Sequence, residues 1–197
     1  MIGHLIVCPK YLPGYLQTNL LGKQPLDLEL PWFSYAAIDF LRSFLEPQMS
    51  VFEYGSGGST LFFARRVRTV ISIEDNATWF ENVRRRLAEL SLKNVELQHH
   101  EFDFKNPKGF ENSAYLNSIP SQKFDVIVVD GAEEVVPVRP ICFYHAENFI
   151  NPGGLIVVDD SWRYPELRRK NRAANHQIFQ SVGPCRPGVT STDIFFY

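Results

Sequence analysis

The chain has 197 residues, of which 45% are hydrophobic and 21% are charged, a balance typical of one globular domain with a substantial core. Its net charge of −2 provides no electrostatic attraction to nucleic acid or to an acidic membrane, so neither is expected as a main partner. The opening MIGHLIVCPK lacks the pattern of a secretory signal, and no stretch approaches the ~20 apolar residues of a membrane span. Three widely spaced cysteines, Cys8, Cys142 and Cys185, favour thiols in a reducing compartment, so a cytoplasmic location is expected.

Residues 1–46 are predicted to form an arm and an amphipathic helix that pack on the rest of the chain. Residues 1–30 are rich in Leu, Pro and Gly and show no clear period, which indicates an irregular arm with one short helix near residues 15–21. This arm is equally consistent with a lid and with a dimer contact. From Pro31, apolar residues recur at three- and four-residue spacing and predict a helix that ends before Pro47. The aromatic residues at its start form either a core-facing stripe or a substrate contact: Trp32, Phe33 and Tyr35.

The stretch VFEYGSGGST, residues 51–60, is predicted to be a buried strand that leads through a glycine-rich turn into a helix. Gly55, Gly57 and Gly58 allow the backbone to bend tightly and to approach a ligand closely. Such a turn can bind a nicotinamide dinucleotide, a flavin or S-adenosylmethionine. A dinucleotide fingerprint has a third glycine where Thr60 stands and no carboxylate at the position of Glu53, so the spacing favours S-adenosylmethionine.

The second predicted strand, TVISIE, ends at Glu74, about 20 residues beyond the glycine turn. A carboxylate at this place can accept hydrogen bonds from both hydroxyls of a ribose. The alternative is a structural role at the start of the next helix, which Asp75 and Asn76 could equally perform. The spacing and the strand context favour Glu74 as a ribose ligand.

The remaining pattern predicts an α/β fold, a Rossmann-like doubly wound sheet of seven mostly parallel strands over residues 47–197. VELQHH gives the third strand, and the apolar run KFDVIVVDG gives a central strand that ends at Asp130. A helix over residues 138–149 and an NPGG turn at residues 151–154 precede the fifth strand, LIVVDD. Residues 176–182 and 192–197 are predicted to form a C-terminal antiparallel hairpin.

Three carboxyl groups follow two predicted strands: Asp130 after the fourth, and Asp159 and Asp160 after the fifth. Hard oxygen ligands of this kind suit Mg²⁺ or Ca²⁺, which could lower the pKa of a substrate hydroxyl. The alternative is that Asp130 orients the substrate or cofactor directly, while the other two cap the following turn. That turn leads into a basic segment, residues 161–172, which is either an anion site or a solvated surface.

The first motif resembles that of the class I S-adenosylmethionine-dependent methyltransferases, in which an acidic residue is followed by glycines at alternate positions. Glu53, Gly55 and Gly57 match this pattern, Ser59 stands where the third glycine would fall, and the resemblance extends from about residue 49 to the C-terminus. The resemblance implies that Glu53 and the turn hold the methionine end of the cofactor and that Asp103, with Phe102 or Phe104, contacts adenine. The turn residues concerned are Gly55, Ser56, Gly57, Gly58, Ser59 and Thr60.

The acidic residues Asp130, Asp159 and Asp160 also look like the metal site of metal-dependent O-methyltransferases. The sequence therefore predicts an enzyme that binds S-adenosylmethionine, with Mg²⁺ as a possible second cofactor, and methylates a hydroxyl of a small molecule. The same three aspartates are its predicted catalytic residues. The alternatives are an N-methyltransferase, an NAD-dependent oxidoreductase and a non-catalytic cofactor-binding module.

Overall fold

The computed structural model describes residues 9–19, 21–131, 137–184 and 188–197, which form a seven-stranded sheet with helices packed against it. The strands are, in chain order, β1 (Ser50–Tyr54), β2 (Thr69–Glu74), β3 (Val95–His99), β4 (Phe124–Val129), β5 (Ile150–Val158), β6 (Asn175–Val182) and β7 (Val189–Phe196). The α-helices are α1 (Leu12–Asn19), α2 (Pro25–Leu28), α3 (Tyr35–Phe44), α4 (Gly58–Ala64), α5 (Ala77–Glu89) and α6 (Arg139–Ala146).

The strands lie in the order β3-β2-β1-β4-β5-β7-β6. Strands β1 to β5 are parallel, and β7 runs antiparallel to both β5 and β6. The predicted Rossmann-like sheet with a C-terminal antiparallel hairpin is confirmed. Because the strand order reverses between β1 and β4, the carboxyl ends of these two strands flank the place where such sheets bind ligands.

The central strands are buried on both faces, as their continuous apolar sequences predict. Alternate residues face opposite sides of the sheet, so Phe52 and Ile127 belong to one hydrophobic cluster. Val51 and Val126 belong to the cluster on the other face. Burying each such side chain stabilises the fold by roughly 1.5–3 kcal/mol, which fixes the positions of the two strand ends that carry the site.

Helix α3 begins at Tyr35 rather than at the predicted Pro31, because Ser34 is its N-cap. The Ser34 hydroxyl accepts a hydrogen bond from the Ala37 amide at 3.3 Å and donates one to the Phe179 carbonyl at 2.8 Å. The side chains of Phe33 and Tyr35 are buried in the core next to this cap. Of the three aromatic residues considered as substrate contacts, these two are core residues, whereas Trp32 is 45% exposed.

The predicted turn at residues 151–154 is part of β5, which already begins at Ile150. The pairing of β5 with β4 moves from Phe124–Ile150 to Val126–Leu155, so the NPGG stretch bulges out of the ladder without ending the strand. The Asn151 side-chain amide donates to Asp125 Oδ1 at 2.8 Å and holds the bulge against β4.

None of the described helices has the length and apolar character needed to cross a membrane. Cys142 is buried in the core, whereas Cys8 and Cys185 lie outside the described residues.

Candidate cofactor and acceptor site

A cavity of about 320 Å³ lies at the carboxyl ends of the parallel strands, where the sheet topology predicts a ligand. Most of the predicted site residues line it: Gly55, Ser56, Gly57, Gly58, Ser59, Glu74, Asp130 and Asp160. Other predicted site residues do not line it: Glu53, Thr60, Asp103 and Asp159. The lining also includes Trp32, one of the aromatic residues considered as a substrate contact, and residues that were not predicted as site residues: Asp75, Trp79, Gly131 and Arg139.

The glycine turn is packed so closely that side chains are excluded at two of its positions. Gly55 has a φ of +92°, and a Cβ atom there would lie 2.6 Å from the Asp130 carbonyl oxygen. A Cβ atom at Gly58 would lie 2.1 Å from the Leu30 carbonyl oxygen. The turn therefore fits between the end of β4 and the segment that precedes α3, and this contact fixes its shape.

Glu53 lies beneath the turn and supports it through Thr60. The Thr60 hydroxyl donates a hydrogen bond to Glu53 Oε1 and accepts one from the Gly57 amide at 3.0 Å. The Ser72 hydroxyl also donates to Glu53 Oε1, at 2.7 Å. Burial raises the pKa of the fully buried Glu53 to about 7, although hydrogen bonds from Thr60, Ser72 and Ser59 oppose the rise. Glu53 thus acts on the cavity through the backbone of the turn.

Glu74 connects the turn to the end of β2. Its Oε2 accepts hydrogen bonds from the Ser56 hydroxyl at 2.7 Å and from the Ser56 amide at 3.1 Å. Its Oε1 accepts from the Asn76 amide at 3.0 Å. Asn76 caps α5, because its side chain accepts from the Trp79 amide at 2.9 Å. Glu74 is therefore not needed as the cap, and it is one of the residues that line the cavity.

Two further features of this wall affect its charge and its shape. Burial, together with the neighbouring charge of Glu74, raises the pKa of Asp75 to about 6. The indole nitrogen of Trp79 donates to the Ser56 carbonyl at 2.8 Å, which places an aromatic ring against the turn.

Arg139 joins the ends of β4 and β5 on the opposite wall. Its Nε donates to the Gly131 carbonyl at 2.9 Å and its Nη1 to the Asp159 carbonyl at 3.0 Å. Its Nη2 forms an ion pair with Asp130 Oδ1 at 3.1 Å, in which the Arg139 side chain is 10% exposed and the Asp130 side chain 20% exposed.

Arg139 was not identified as a site residue from the sequence. A positive charge in the first turn of a helix interacts unfavourably with the helix dipole. An arginine directly before Pro140, at the start of α6, was therefore a sign that a nearby carboxylate stabilises it.

The three aspartates do not fit a metal ion. Arg139 provides a positive charge beside Asp130, and the Asp159 carboxylate accepts from the Thr192 hydroxyl at 2.8 Å. Asp160 Oδ1 accepts from the Thr190 hydroxyl at 3.1 Å. Among the residues that the structure describes, no group of three or more His, Cys, Asp or Glu side chains is arranged to hold a metal. Burial, and then the charges of Asp130 and Asp160, raise the pKa of Asp159 well above its usual range.

The other predicted contacts lie away from the cavity. Asp103 is exposed, and its carboxylate accepts from the Lys105 amide at 3.0 Å. Phe102 and Phe104 pack on each other at 5.2 Å between ring centroids, at the edge of the core. In the basic segment, Arg168 pairs with the buried Asp193 at 2.6 Å, so this arginine has a structural partner.

Comparison with known proteins agrees with this geometry. Solved structures with the same fold include the cofactor-bound protein Rv0187 from MTB, with a TM-score of 0.66 and 18% identity, covering 94% of this chain and 95% of that chain. SMU.1697c from Streptococcus mutans, in complex with SAH, has a TM-score of 0.59 and 13% identity, covering 89% of this chain and 99% of that chain. An rRNA methylase from Streptococcus thermophilus has a TM-score of 0.58 and 15% identity, covering 88% of this chain and 96% of that chain.

A search of curated proteins gives no match. The model of the methyltransferase domain family, however, matches residues 45–189, which is well over half of the chain. The match includes the glycine turn, Glu74 and the ends of β4 and β5. The chain therefore belongs to the methyltransferase domain family and is a class I S-adenosylmethionine-dependent methyltransferase.

Proposed function

We propose that this methyltransferase methylates a hydroxyl group of a small molecule and that Asp160 accepts the proton of that hydroxyl. The observation that carries the proposal is that Asp130 and Asp160 line the same cavity as the glycine turn and Glu74. The sulfonium of the cofactor supplies an activated methyl group. The protein must chiefly align the acceptor with it and take up a proton, which a carboxylate at the cavity wall can do.

The residues of the cavity fit S-adenosylmethionine. Ser56 donates two hydrogen bonds to Glu74 Oε2 and Asn76 donates one to Oε1, so Oε1 can accept one further hydrogen bond, from a ribose hydroxyl. The backbone of residues 55–59 and the ion pair of Asp130 with Arg139 face the same space and would hold the methionine end. Glu53 and Thr60 would act through the shape of the turn. A contact between Asp103 and adenine is not part of this proposal, because the Asp103 side chain is exposed and accepts from the Lys105 amide.

Replacing Glu74 with glutamine is expected to weaken S-adenosylhomocysteine binding by about 10- to 100-fold, the scale of one hydrogen bond to a charged group. The amide can still accept a hydrogen bond from Ser56, so the turn should keep its shape while the charge is lost. Isothermal titration calorimetry measures the effect. The matched control is Glu96→Gln, an exposed carboxylate on the neighbouring strand β3. Equal affinities for the two variants would remove Glu74 from the site.

A small molecule is favoured as the acceptor by the net charge of the chain and by the pairing of two arginines in the basic segment. The net charge is −2, and two arginines of the basic segment, Arg168 and Arg172, are paired with Asp193 and Glu147. Nucleic-acid-binding proteins neutralise several phosphates with unpaired Lys and Arg. The fold shared with the rRNA methylase makes rRNA the most informative competing substrate.

Asp160→Asn is expected to lower kcat by roughly 100-fold, the lower end of the range for loss of a general base. Asparagine keeps an oxygen that can accept from Thr190, so the turn after β5 should persist. The assay is transfer of labelled methyl from S-adenosylmethionine to a panel of small hydroxyl compounds, amines and rRNA, in EDTA. Asp39→Asn, on the surface of α3, is the control. Labelling of amines or rRNA only, or full activity of Asp160→Asn, would contradict the proposal.

A further inference from the structure

Tyr115 lies in the long connection between β3 and β4 and is almost completely buried, with 1% of its surface exposed. Its ring packs against Tyr54 at 5.7 Å and against Phe104 at 5.6 Å between centroids. These contacts account for the aromatic ring. They do not account for the hydroxyl group, which is polar and lies in the same cluster.

The Tyr115 hydroxyl has no hydrogen-bond partner within the part of the chain that the structure describes. The neighbouring Tyr54 differs, because its hydroxyl donates to the Leu116 carbonyl at 2.8 Å. A buried hydroxyl without a partner costs the folded protein the desolvation of that group, and a partner from outside the chain is a physical reason to retain it.

The position of this hydroxyl relates it to the cofactor cavity. A Cβ atom at Gly131 would lie 2.1 Å from Tyr115 Oη, so the hydroxyl occupies the space of a side chain at a residue that lines the cavity. Burial is the main cause that raises the pKa of Tyr115, and the charges of Cys142, Asp75 and Glu74 raise it further. The hydroxyl lies directly against Gly131, which follows β4 and lines the cavity.

The chemistry of the β2 wall leaves the nucleoside part of the cofactor in need of a donor. Glu74 and Asp75 are acceptors when ionised, whereas adenine ring nitrogens and ribose oxygens also accept hydrogen bonds. Two side-chain donors of this wall act within the protein, Ser56 towards Glu74 at 2.7 Å and Trp79 towards the Ser56 carbonyl at 2.8 Å. A phenol hydroxyl next to Gly131 can supply a further donor.

We infer that the Tyr115 hydroxyl is a cofactor-binding group that donates a hydrogen bond to the nucleoside part of S-adenosylmethionine. The assignment depends on the cofactor and not on the methyl acceptor, so it stands or fails separately from the proposed O-methylation. Gly131 is then required as glycine because any side chain would displace the donor.

The test compares Tyr115→Phe with Tyr54→Phe, two substitutions that each remove one buried hydroxyl from the same cluster. Tyr115→Phe is expected to weaken S-adenosylhomocysteine binding about 5- to 10-fold in calorimetry, the scale of one hydrogen bond. The melting temperature of the unliganded variant should stay the same or rise, because an unsatisfied buried group is removed.

Tyr54→Phe should show the opposite pattern, with a lower melting temperature and an affinity within about 2-fold of the wild type, because its hydroxyl is already satisfied by Leu116. Wild-type affinity of Tyr115→Phe for S-adenosylhomocysteine would overturn the assignment, whatever the melting temperature shows.

Discussion

Replacing Arg139 with alanine is expected to lower the free energy of unfolding by about 3 to 5 kcal/mol, the cost of removing one partner from a buried ion pair. The arginine is 9% exposed and donates to two backbone carbonyls in addition to the Asp130 carboxylate. Its charge also opposes the rise in the pKa of Asp159. The alanine variant loses these interactions together, so the ends of β4 and β5 lose their common anchor. Urea unfolding followed by tryptophan fluorescence measures the change.

The control for Arg139→Ala is Arg65→Ala, which removes an ion pair with Glu29 on the surface. This pair should contribute little to the free energy of unfolding, because water and salt screen exposed charges. Arg139→Lys should fall between the wild type and Arg139→Ala, since lysine keeps the charge but cannot reproduce the three-way contact of the guanidinium. A loss for Arg139→Ala no larger than that for Arg65→Ala would contradict the structural role of the ion pair.

The fold was predictable because its signals are local in the sequence. The apolar runs that become β1 and β4 are long enough to be buried on both faces, and the alternation with helices permits only right-handed parallel connections. The glycine turn and Glu74 were found for the same reason, because each follows directly from a strand end. The start of α3 was misplaced by four residues because Ser34 competes with Pro31 as the helix start, and its hydroxyl decides the outcome through the distant Phe179.

The parts of the site that sequence did not indicate depend on contacts between distant segments. The guanidinium of Arg139 meets Asp130 only after β4 and β5 have paired, and Tyr115 reaches Gly131 across a long connection. The metal hypothesis is not supported by the structure, for a related reason. Counting carboxylates at the strand ends could not show that Arg139 lies beside Asp130 or that Asp159 is directed to Thr192 on β7.

Glu53 is expected to make the protein less stable as pH rises from about 4.5 to about 7. An unperturbed glutamate has a pKa of 4.5, and burial, which opposes ionisation, raises the pKa of Glu53 to about 7 in the folded protein. Over this range the folded state holds a proton that the unfolded state has released, so deprotonation favours unfolding. The difference of pKa corresponds to about 3 kcal/mol, present as stability at pH 4.5 and lost by pH 7.

Glu53→Gln should remove this part of the pH dependence, because glutamine can accept from Thr60 and Ser72 but does not titrate. Urea unfolding at pH 5 and pH 8 gives the comparison: the wild type should lose more stability than Glu53→Gln between the two values. Glu81→Gln, an exposed carboxylate paired with Arg84 on α5, should retain the wild-type slope. If Glu53→Gln retains it as well, the buried carboxylate does not titrate in this range. A reduced slope would show that Glu53, which lies beneath the turn and bonds to it through Thr60, titrates with a raised pKa in the folded protein.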